Sequence, residues 1–188
     1  ADPAAVAAEL IGEMHAGIVR LANLPAPVIA SVHGAVAGGG LGLALACDLI
    51  VAAEGTRFNL AYTRIGTSSD CGTSWGLPRW VGLRKALEIA LLCEPFDAAE
   101  ALRLGMINRV VPADALAEHT LALARQLEAS APQALGRLKR LMRQSDQHDL
   151  HAQLQAEARA FVACAGSADF AEGVAAFLAR RPARFSGR

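Results

Sequence analysis

The sequence predicts an α/β core over residues 1–112, followed by a region of helices alone over 113–188. In the first part, short apolar runs alternate with segments whose apolar residues recur every three or four positions. After Pro112 only the helical spacing is found. Hydrophobic residues make up 53% and charged residues 19% of the 188, which is enough apolar material for a packed core.

The first elements are a helix, a buried strand and a second helix. Apolar residues lie on one face of a helix predicted over 3–21, and Pro25 and Pro27 end it. The run 28–32 is almost wholly apolar, as is typical of a strand buried on both faces. A glycine-rich turn then leads into an apolar helix that ends at Ala46.

The rest of the core continues the alternation. Residues 48–53 predict a second buried strand and 57–59 a short third one. A helical segment over 71–80 is expected to end near Pro78. The remaining signals are a helix with Leu83, Leu87 and Leu91, a helix capped by Asp97 and ended by Gly105, and a strand over 108–111.

The region after residue 113 carries three apolar series at helical spacing and a final capped helix. The series are Leu116, Leu123 and Leu127; Leu135, Leu138 and Met142; and Leu150, Leu154 and Phe161. Ser167 is the predicted N-cap of the final helix, and Pro182 ends it. These apolar faces have little sheet to cover, so we expect them to pack against another chain.

Composition excludes several classes of function. The 18 basic and 18 acidic residues cancel, which does not favour a nucleic-acid partner or an anionic membrane surface. The four cysteines are scattered and form no Cys-x-x-Cys pair, so reduced thiols and no metal site are expected. The cysteines are Cys47, Cys71, Cys93 and Cys164.

The longest uncharged stretch, 21–47, equals a membrane span in length. Its two prolines and five glycines favour strand–turn–helix over a lipid-exposed helix, and no signal peptide is recognised. The interpretation is a soluble, cytoplasmic protein without a membrane partner. Because the chain lacks an initiator Met and opens directly into a helix, we expect it to belong to a longer protein.

The glycine turn offers free backbone N–H groups at a helix N-terminus. Glycines occupy positions 38, 39, 40 and 42, a spacing unlike the Gly-x-Gly-x-x-Gly dinucleotide fingerprint. Unobstructed N–H groups in such a turn bind an oxyanion. On pattern alone, close packing of the strand against the helix explains the glycines equally well.

Asp70 is the second chemical signal. It lies in a short polar segment and could move protons as a general acid or base. From the residues alone, a turn or helix cap before Cys71 is the more ordinary role for this Asp.

A series of motifs in order along the chain resembles one enzyme family. They are Leu24-Pro-Ala-Pro-Val-Ile-Ala, His33-Gly-Ala-Val-Ala-Gly-Gly-Gly-Leu-Gly-Leu-Ala-Leu-Ala-Cys-Asp, Arg57-Phe, Trp75-Gly-Leu-Pro-Arg, Gly105-Met-Ile-Asn-Arg-Val-Val-Pro and Glu172-Gly-Val-Ala-Ala-Phe-Leu-Ala-Arg-Arg. This order resembles the crotonase (enoyl-CoA hydratase/isomerase) superfamily over essentially the whole chain. The segments 61–66 and 70–75 are similar to isomerases of the epoxyphenylacetyl-CoA type in the phenylacetate pathway.

The resemblance implies a crotonase spiral of ββα units with a helical C-terminal part that forms trimers, which pair into hexamers in some members. It implies acyl-CoA thioester chemistry through an enolate, with coenzyme A as part of the substrate and no separate cofactor. The Gly39 N–H then matches the second oxyanion donor. The first donor and the first strands of the core would precede residue 1.

The positions of the two hydratase glutamates hold Gly42 and Tyr62, neither of which is a carboxylate. Asp70 stands where isomerase branches carry an Asp, so the leading interpretation is a double-bond shift with Asp70 as proton carrier. An enoyl-CoA hydratase is the close alternative. A non-catalytic acyl-CoA-binding subunit is the third.

The remaining expected contacts also come from the resemblance. Gly38, Tyr62 and Trp75 would line the acyl pocket. Phe177 and Arg180 match a C-terminal Phe and Lys that reach the CoA of a neighbouring subunit, and Arg can replace Lys against phosphate. An exposed cationic helix end explains Arg180 equally well.

Overall fold

The computed structural model describes residues 2–188, which divide into two compact units. The first runs through Ala22 and includes Val28–Leu121, and the second comprises Asn23–Pro27 and Ala122–Arg188. The predicted division into domains at 112/113 stays a prediction.

The helices and strands of the first unit largely follow the predicted order. They are α1 (Pro3–Asn23), β1 (Ile29–Val32), β2 (Ala35–Ala37), α2 (Gly39–Ala46), β3 (Leu49–Ala53), β4 (Arg57–Asn59), α3 (Thr73–Val81), α4 (Leu83–Leu92), β5 (Phe96–Asp97), α5 (Ala98–Arg103) and β6 (Arg109–Val111). A 3₁₀ turn, Tyr62–Ile65, follows β4. The helices of the second part are α6 (Leu116–Glu128), α7 (Pro132–Gln144), α8 (Leu150–Ala165) and α9 (Ala168–Leu178).

Two three-stranded sheets form the first unit. In one, β3 lies between β1 and β6 and all strands are parallel; in the other, β4 pairs parallel with β2 and antiparallel with β5. Gly34, with φ +67°, separates β1 from β2 and lets consecutive strands enter different sheets. The sequence analysis missed β2, which directly precedes the glycine turn, and β5, which directly precedes α5 and ends at its N-cap Asp97.

The core of the first unit lies around β4. Phe58, Leu41 and Val51 are completely buried, and Phe58 stacks on Phe96 with ring centroids 5.8 Å apart. One predicted boundary is wrong, since α3 passes through Pro78 and ends at Val81. Pro78 lacks an N–H, but its carbonyl still accepts a hydrogen bond from the Gly82 N–H at 3.0 Å, so the last turn closes.

The second unit is helical, as predicted. Ser167 caps α9 by accepting a hydrogen bond from the Phe170 N–H at 3.1 Å. Many apolar side chains remain exposed, among them Met142 and Phe161. Their packing against another chain stays a prediction.

Among the described residues no single helix is long and apolar enough to cross a membrane; α8 and α9 meet the length and composition criterion for a span only together, across a bend of 81°.

Asp169 in α9 holds the C-terminal tail. It is 4% exposed, and its two carboxylate oxygens accept from the backbone N–H groups of Ser186 at 2.6 Å and Gly187 at 2.9 Å. An Asn would turn an N–H donor toward one of these donors. We expect Asp169→Asn to lower the free energy of unfolding by about 1.5–3 kcal/mol in urea denaturation.

The control for this prediction is Asp149→Asn. Asp149 is the exposed N-cap of α8, and Asn serves equally well at that position. Equal stability of the two variants would contradict the role assigned to Asp169.

Candidate active site

The glycine turn, residues 38–40, connects the end of β2 to α2. Gly38 has φ 53° and ψ −127°, a conformation that disfavours a side chain. Its N–H donates to the Asn59 carbonyl at 3.1 Å, and its carbonyl accepts from the N–H groups of Leu41 and Gly42. Gly39 is the first residue of α2, and no backbone acceptor for its N–H is found within residues 2–188. The oxyanion role requires this geometry, and the role itself stays a prediction.

The structure brings Asp70 to this turn. An added Cβ on Gly39 would lie 3.9 Å from Asp70 Oδ1 and 3.1 Å from Cys71 Sγ. The Tyr62 hydroxyl donates a hydrogen bond to Asp70 Oδ1, and the Tyr62 ring lies 3.9 Å from a Cβ built on Gly38. Four residues singled out from the sequence, at positions 38, 39, 62 and 70, are thus neighbours.

The Asp70 loop, residues 70–72, is fixed to the start of α3 by hydrogen bonds to a backbone carbonyl. The Asp70 carbonyl accepts from the N–H and hydroxyl of Thr73 at 3.1 and 2.8 Å. Gly72 is the N-cap of α3, and no side-chain cap hydrogen bond is found there. The side chain of Asp70 therefore does not serve as the cap that was the alternative interpretation.

His15 is a neighbour of the site that sequence reasoning missed. Its Nε2 accepts a hydrogen bond from the Cys71 N–H at 3.1 Å, across 56 positions in the chain. This geometry requires a neutral imidazole at Nε2. Nothing in the local pattern of α1 distinguishes His15 from an ordinary exposed residue, so only the tertiary structure identifies it.

Burial and the carboxylate determine the protonation of the two neighbours of Asp70. Burial, followed by the hydrogen bond to Asp70, raises the pKa of Tyr62 above its ordinary value. The same causes raise the pKa of Cys71 to about 11. Near neutral pH both groups keep their protons, and neither is a base. Asp70 is the carboxylate of this cluster.

Gly42 explains how the Asp70 loop approaches α2. A Cβ at position 42 would lie 2.4 Å from the Cys71 carbonyl oxygen and 2.6 Å from the Cys71 Cβ. The space that a side chain at position 42 would need is therefore filled by the backbone of the loop. In the described chain, no Asp or Glu other than Asp70 takes part in the hydrogen bonds of this cluster.

Three further candidate residues have surroundings of their own: Trp75 in the first unit, and Phe177 and Arg180 in the second. Trp75 is 48% exposed on α3, and its ring packs beneath the Arg79 guanidinium at 3.9 Å. In the second unit, Phe177 is 81% exposed near the end of α9, where it lines an apolar groove of about 350 Å³. Arg180 follows that helix with φ 51°. Their binding roles stay predictions.

Asp48, which follows α2, accepts a hydrogen bond from the Val28 N–H on its side chain at 2.8 Å, as a residue that caps a turn does. Among the described residues, no three His, Cys, Asp or Glu side chains converge as metal ligands would.

Comparison with known proteins identifies a family. The model of the family described as enoyl-CoA hydratase/isomerase matches residues 3–188. A probable enoyl-CoA hydratase of Rhodobacter capsulatus is 43% identical over 88% of this chain and 65% of its own length. A 1,2-epoxyphenylacetyl-CoA isomerase of Escherichia coli is 41% identical over 90% of this chain and 64% of its own length. The chain thus spans just under two thirds of these relatives.

The fold has solved counterparts. The crystal structure of an enoyl-CoA hydratase from Polaromonas sp. JS666 superposes with a TM-score of 0.94 at 37% identity. The match covers 98% of this chain and 72% of that structure.

Proposed function

Because the chain belongs to the enoyl-CoA hydratase/isomerase family, we propose that it shifts a carbon–carbon double bond in an acyl-CoA thioester, with Asp70 as the proton carrier. The observation that carries this proposal is the proximity of the Asp70 carboxylate to the glycine turn. Asp70 Oδ1 lies 3.9 Å from the position of a Cβ on Gly39, the residue whose N–H begins α2. The family and the crotonase-type fold expected from the sequence are both confirmed.

The proposed step uses only these groups and the substrate. Asp70 takes a proton from the α-carbon of a 3-enoyl thioester, and the C–H electron pair moves into a new double bond as the thioester oxygen becomes negative. The Gly39 N–H donates to that oxygen and stabilises the enolate. Asp70, whose carboxyl proton can exchange with solvent, then delivers a proton to the γ-carbon, so that the product is the 2-enoyl thioester. No electron is gained or lost, and no separate cofactor is needed.

The substrate contacts belong to the same proposal. Gly38, Tyr62 and Trp75 line the acyl group. The aromatic rings of Tyr62 and Trp75 suit a bulky or aromatic acyl chain such as a phenylacetate-derived one. Phe177 and Arg180 contact the CoA of a neighbouring copy in a homotrimer or hexamer. We place this enzyme in the cytoplasm.

An enoyl-CoA hydratase is the second candidate, supported by the names of several relatives. In its standard form that reaction uses two carboxylates to orient water, and positions 42 and 62 hold Gly and Tyr here. A non-catalytic acyl-CoA-binding subunit is the third. The single carboxylate beside the glycine turn favours proton transfer between two carbons over the hydratase and binding-subunit candidates.

Turnover of two defined substrates distinguishes these candidates. The protein is incubated separately with trans-3-hexenoyl-CoA and trans-2-hexenoyl-CoA in D₂O, and the products are analysed by mass spectrometry and NMR. We expect the 3-enoyl substrate to become the 2-enoyl isomer with deuterium exchange at the α- or γ-carbon. A 3-hydroxyacyl product as the main outcome would favour the hydratase. No exchange with either substrate would favour the binding subunit.

A further inference from the structure

We infer that Tyr62 is a positioning residue, whose hydroxyl holds the Asp70 carboxylate in its working orientation against the glycine turn. The inference rests on the proposed function. It assigns the Tyr62 hydroxyl a role in addition to the place of its ring in the acyl pocket, because the hydroxyl acts through Asp70.

The first argument is that the end of one strand, β4, fixes the positions of both Tyr62 and the glycine turn. Asn59, the last residue of β4, accepts the Gly38 N–H on its carbonyl at 3.1 Å and the Ala61 N–H on its side-chain oxygen at 3.0 Å. Tyr62, which follows Ala61, begins the 3₁₀ turn. The position of the phenol ring is therefore set by the same residue that anchors the glycine turn.

The second argument is the burial of Tyr62. The residue is 8% exposed, and its ring lies 3.9 Å from the position that a Cβ on Gly38 would occupy. A buried phenol needs a hydrogen-bond partner, and Asp70 Oδ1 is the acceptor that this structure provides. The hydroxyl is thus occupied by the carboxylate and remains a neutral donor over the working pH range.

The third argument is how the two oxygens of Asp70 differ. Oδ1 accepts from Tyr62, whereas Oδ2 accepts no hydrogen bond from an N–H or O–H group in the described part of the chain. Besides Tyr62, the groups around the carboxylate are the Cys71 thiol and, through the Cys71 N–H, His15. The hydrogen bond from Tyr62 therefore orients the carboxylate and engages Oδ1.

Tyr62→Phe tests this role, because it removes the hydroxyl and keeps the ring. We expect kcat for trans-3-hexenoyl-CoA to fall by about 10–100-fold with KM nearly unchanged. Thr63→Val is the matched control: it removes the neighbouring hydroxyl of the same turn, which contacts Cys93 Sγ at 3.0 Å, and should leave the kinetics unchanged.

The double variant separates an effect through Asp70 from a general loss of structure. If Tyr62 acts through Asp70, Tyr62→Phe has no further effect in an Asp70→Asn background. Multiplicative losses would overturn the inference, and so would an unchanged kcat in Tyr62→Phe alone. If instead Asp70→Asn keeps the parent rate, the proposed function is wrong, and this result is distinct from a failure of the Tyr62 inference.

A spectroscopic measurement tests the contact without turnover. Tyr62 is the chain's one tyrosine, so incorporation of 3-fluorotyrosine yields a single ¹⁹F resonance. We expect its phenol to titrate above free 3-fluorotyrosine and to shift to lower pH in Asp70→Asn, because the acceptor loses its charge. The same titration in both proteins would overturn the inference. A parent protein that neither isomerises nor exchanges would refute the proposed function, and this measurement would still decide whether Tyr62 holds Asp70.

Discussion

Asp70→Asn is expected to reduce double-bond migration by about 10²–10⁴-fold, the range that a general acid–base group contributes. The substitution preserves the shape of the side chain but removes its capacity to take a proton. Its oxygen can still accept from Tyr62, so the loop and the glycine turn should keep their arrangement. Because the lost interaction acts mainly in the transition state, acyl-CoA affinity should change little.

Deuterium exchange at the α- or γ-carbon, together with isomer formation, measures this effect directly. Asp97→Asn is a suitable control, since Asp97 is the N-cap of α5 through a 2.8 Å hydrogen bond to the Glu100 N–H and Asn serves at such positions. That variant should retain the parent rate. If Asp70→Asn also exchanges at the parent rate, Asp70 does not carry the proton, and the hydratase or binding-subunit candidates move ahead.

Gly42→Glu restores a carboxylate at a hydratase position, yet it should destabilise the protein without creating a hydratase. The added Cβ would lie 2.4 Å from the Cys71 carbonyl oxygen, which is backbone and cannot rotate away. The Asp70 loop must therefore move from α2, and Asp70 moves with it. We expect a loss of about 3 kcal/mol in the free energy of unfolding, at the upper end for overpacking, together with loss of isomerisation.

A pair of alanine variants isolates the steric cause. Gly42→Ala places a methyl group against Cys71, whereas Gly40→Ala, in the same helix, places it where nothing lies within 4 Å. Urea denaturation should show Gly42→Ala strongly destabilised and Gly40→Ala at least as stable as the parent, because Ala favours a helix over Gly. A stable Gly42→Glu protein that hydrates trans-2-hexenoyl-CoA would contradict both the steric argument and the assignment of the loop.

Local signals in the sequence determined most of the elements correctly. The apolar run 28–32 predicts β1, and the helical spacing after residue 113 predicts the helices of the second unit. Asp97 and Ser167 cap α5 and α9 as their positions indicate. These features depend on neighbours a few residues apart, so the pattern of the chain contains them. The roles assigned to Gly39 and Asp70 came from the family resemblance rather than from local chemistry.

The tertiary structure alone decided which distant residues meet. The pairing of β2 with β4 and of β4 with β5 depends on contacts between short strands that carry no period of their own. The bond from Cys71 to His15, the bond from Tyr62 to Asp70 and the contact of Gly42 with the Asp70 loop likewise join segments that folding brings together. A sequence names the groups that can react, but their distances depend on how the backbone packs. In this protein, the bare Cα of Gly42 lets the loop bring the carboxylate to the glycine turn.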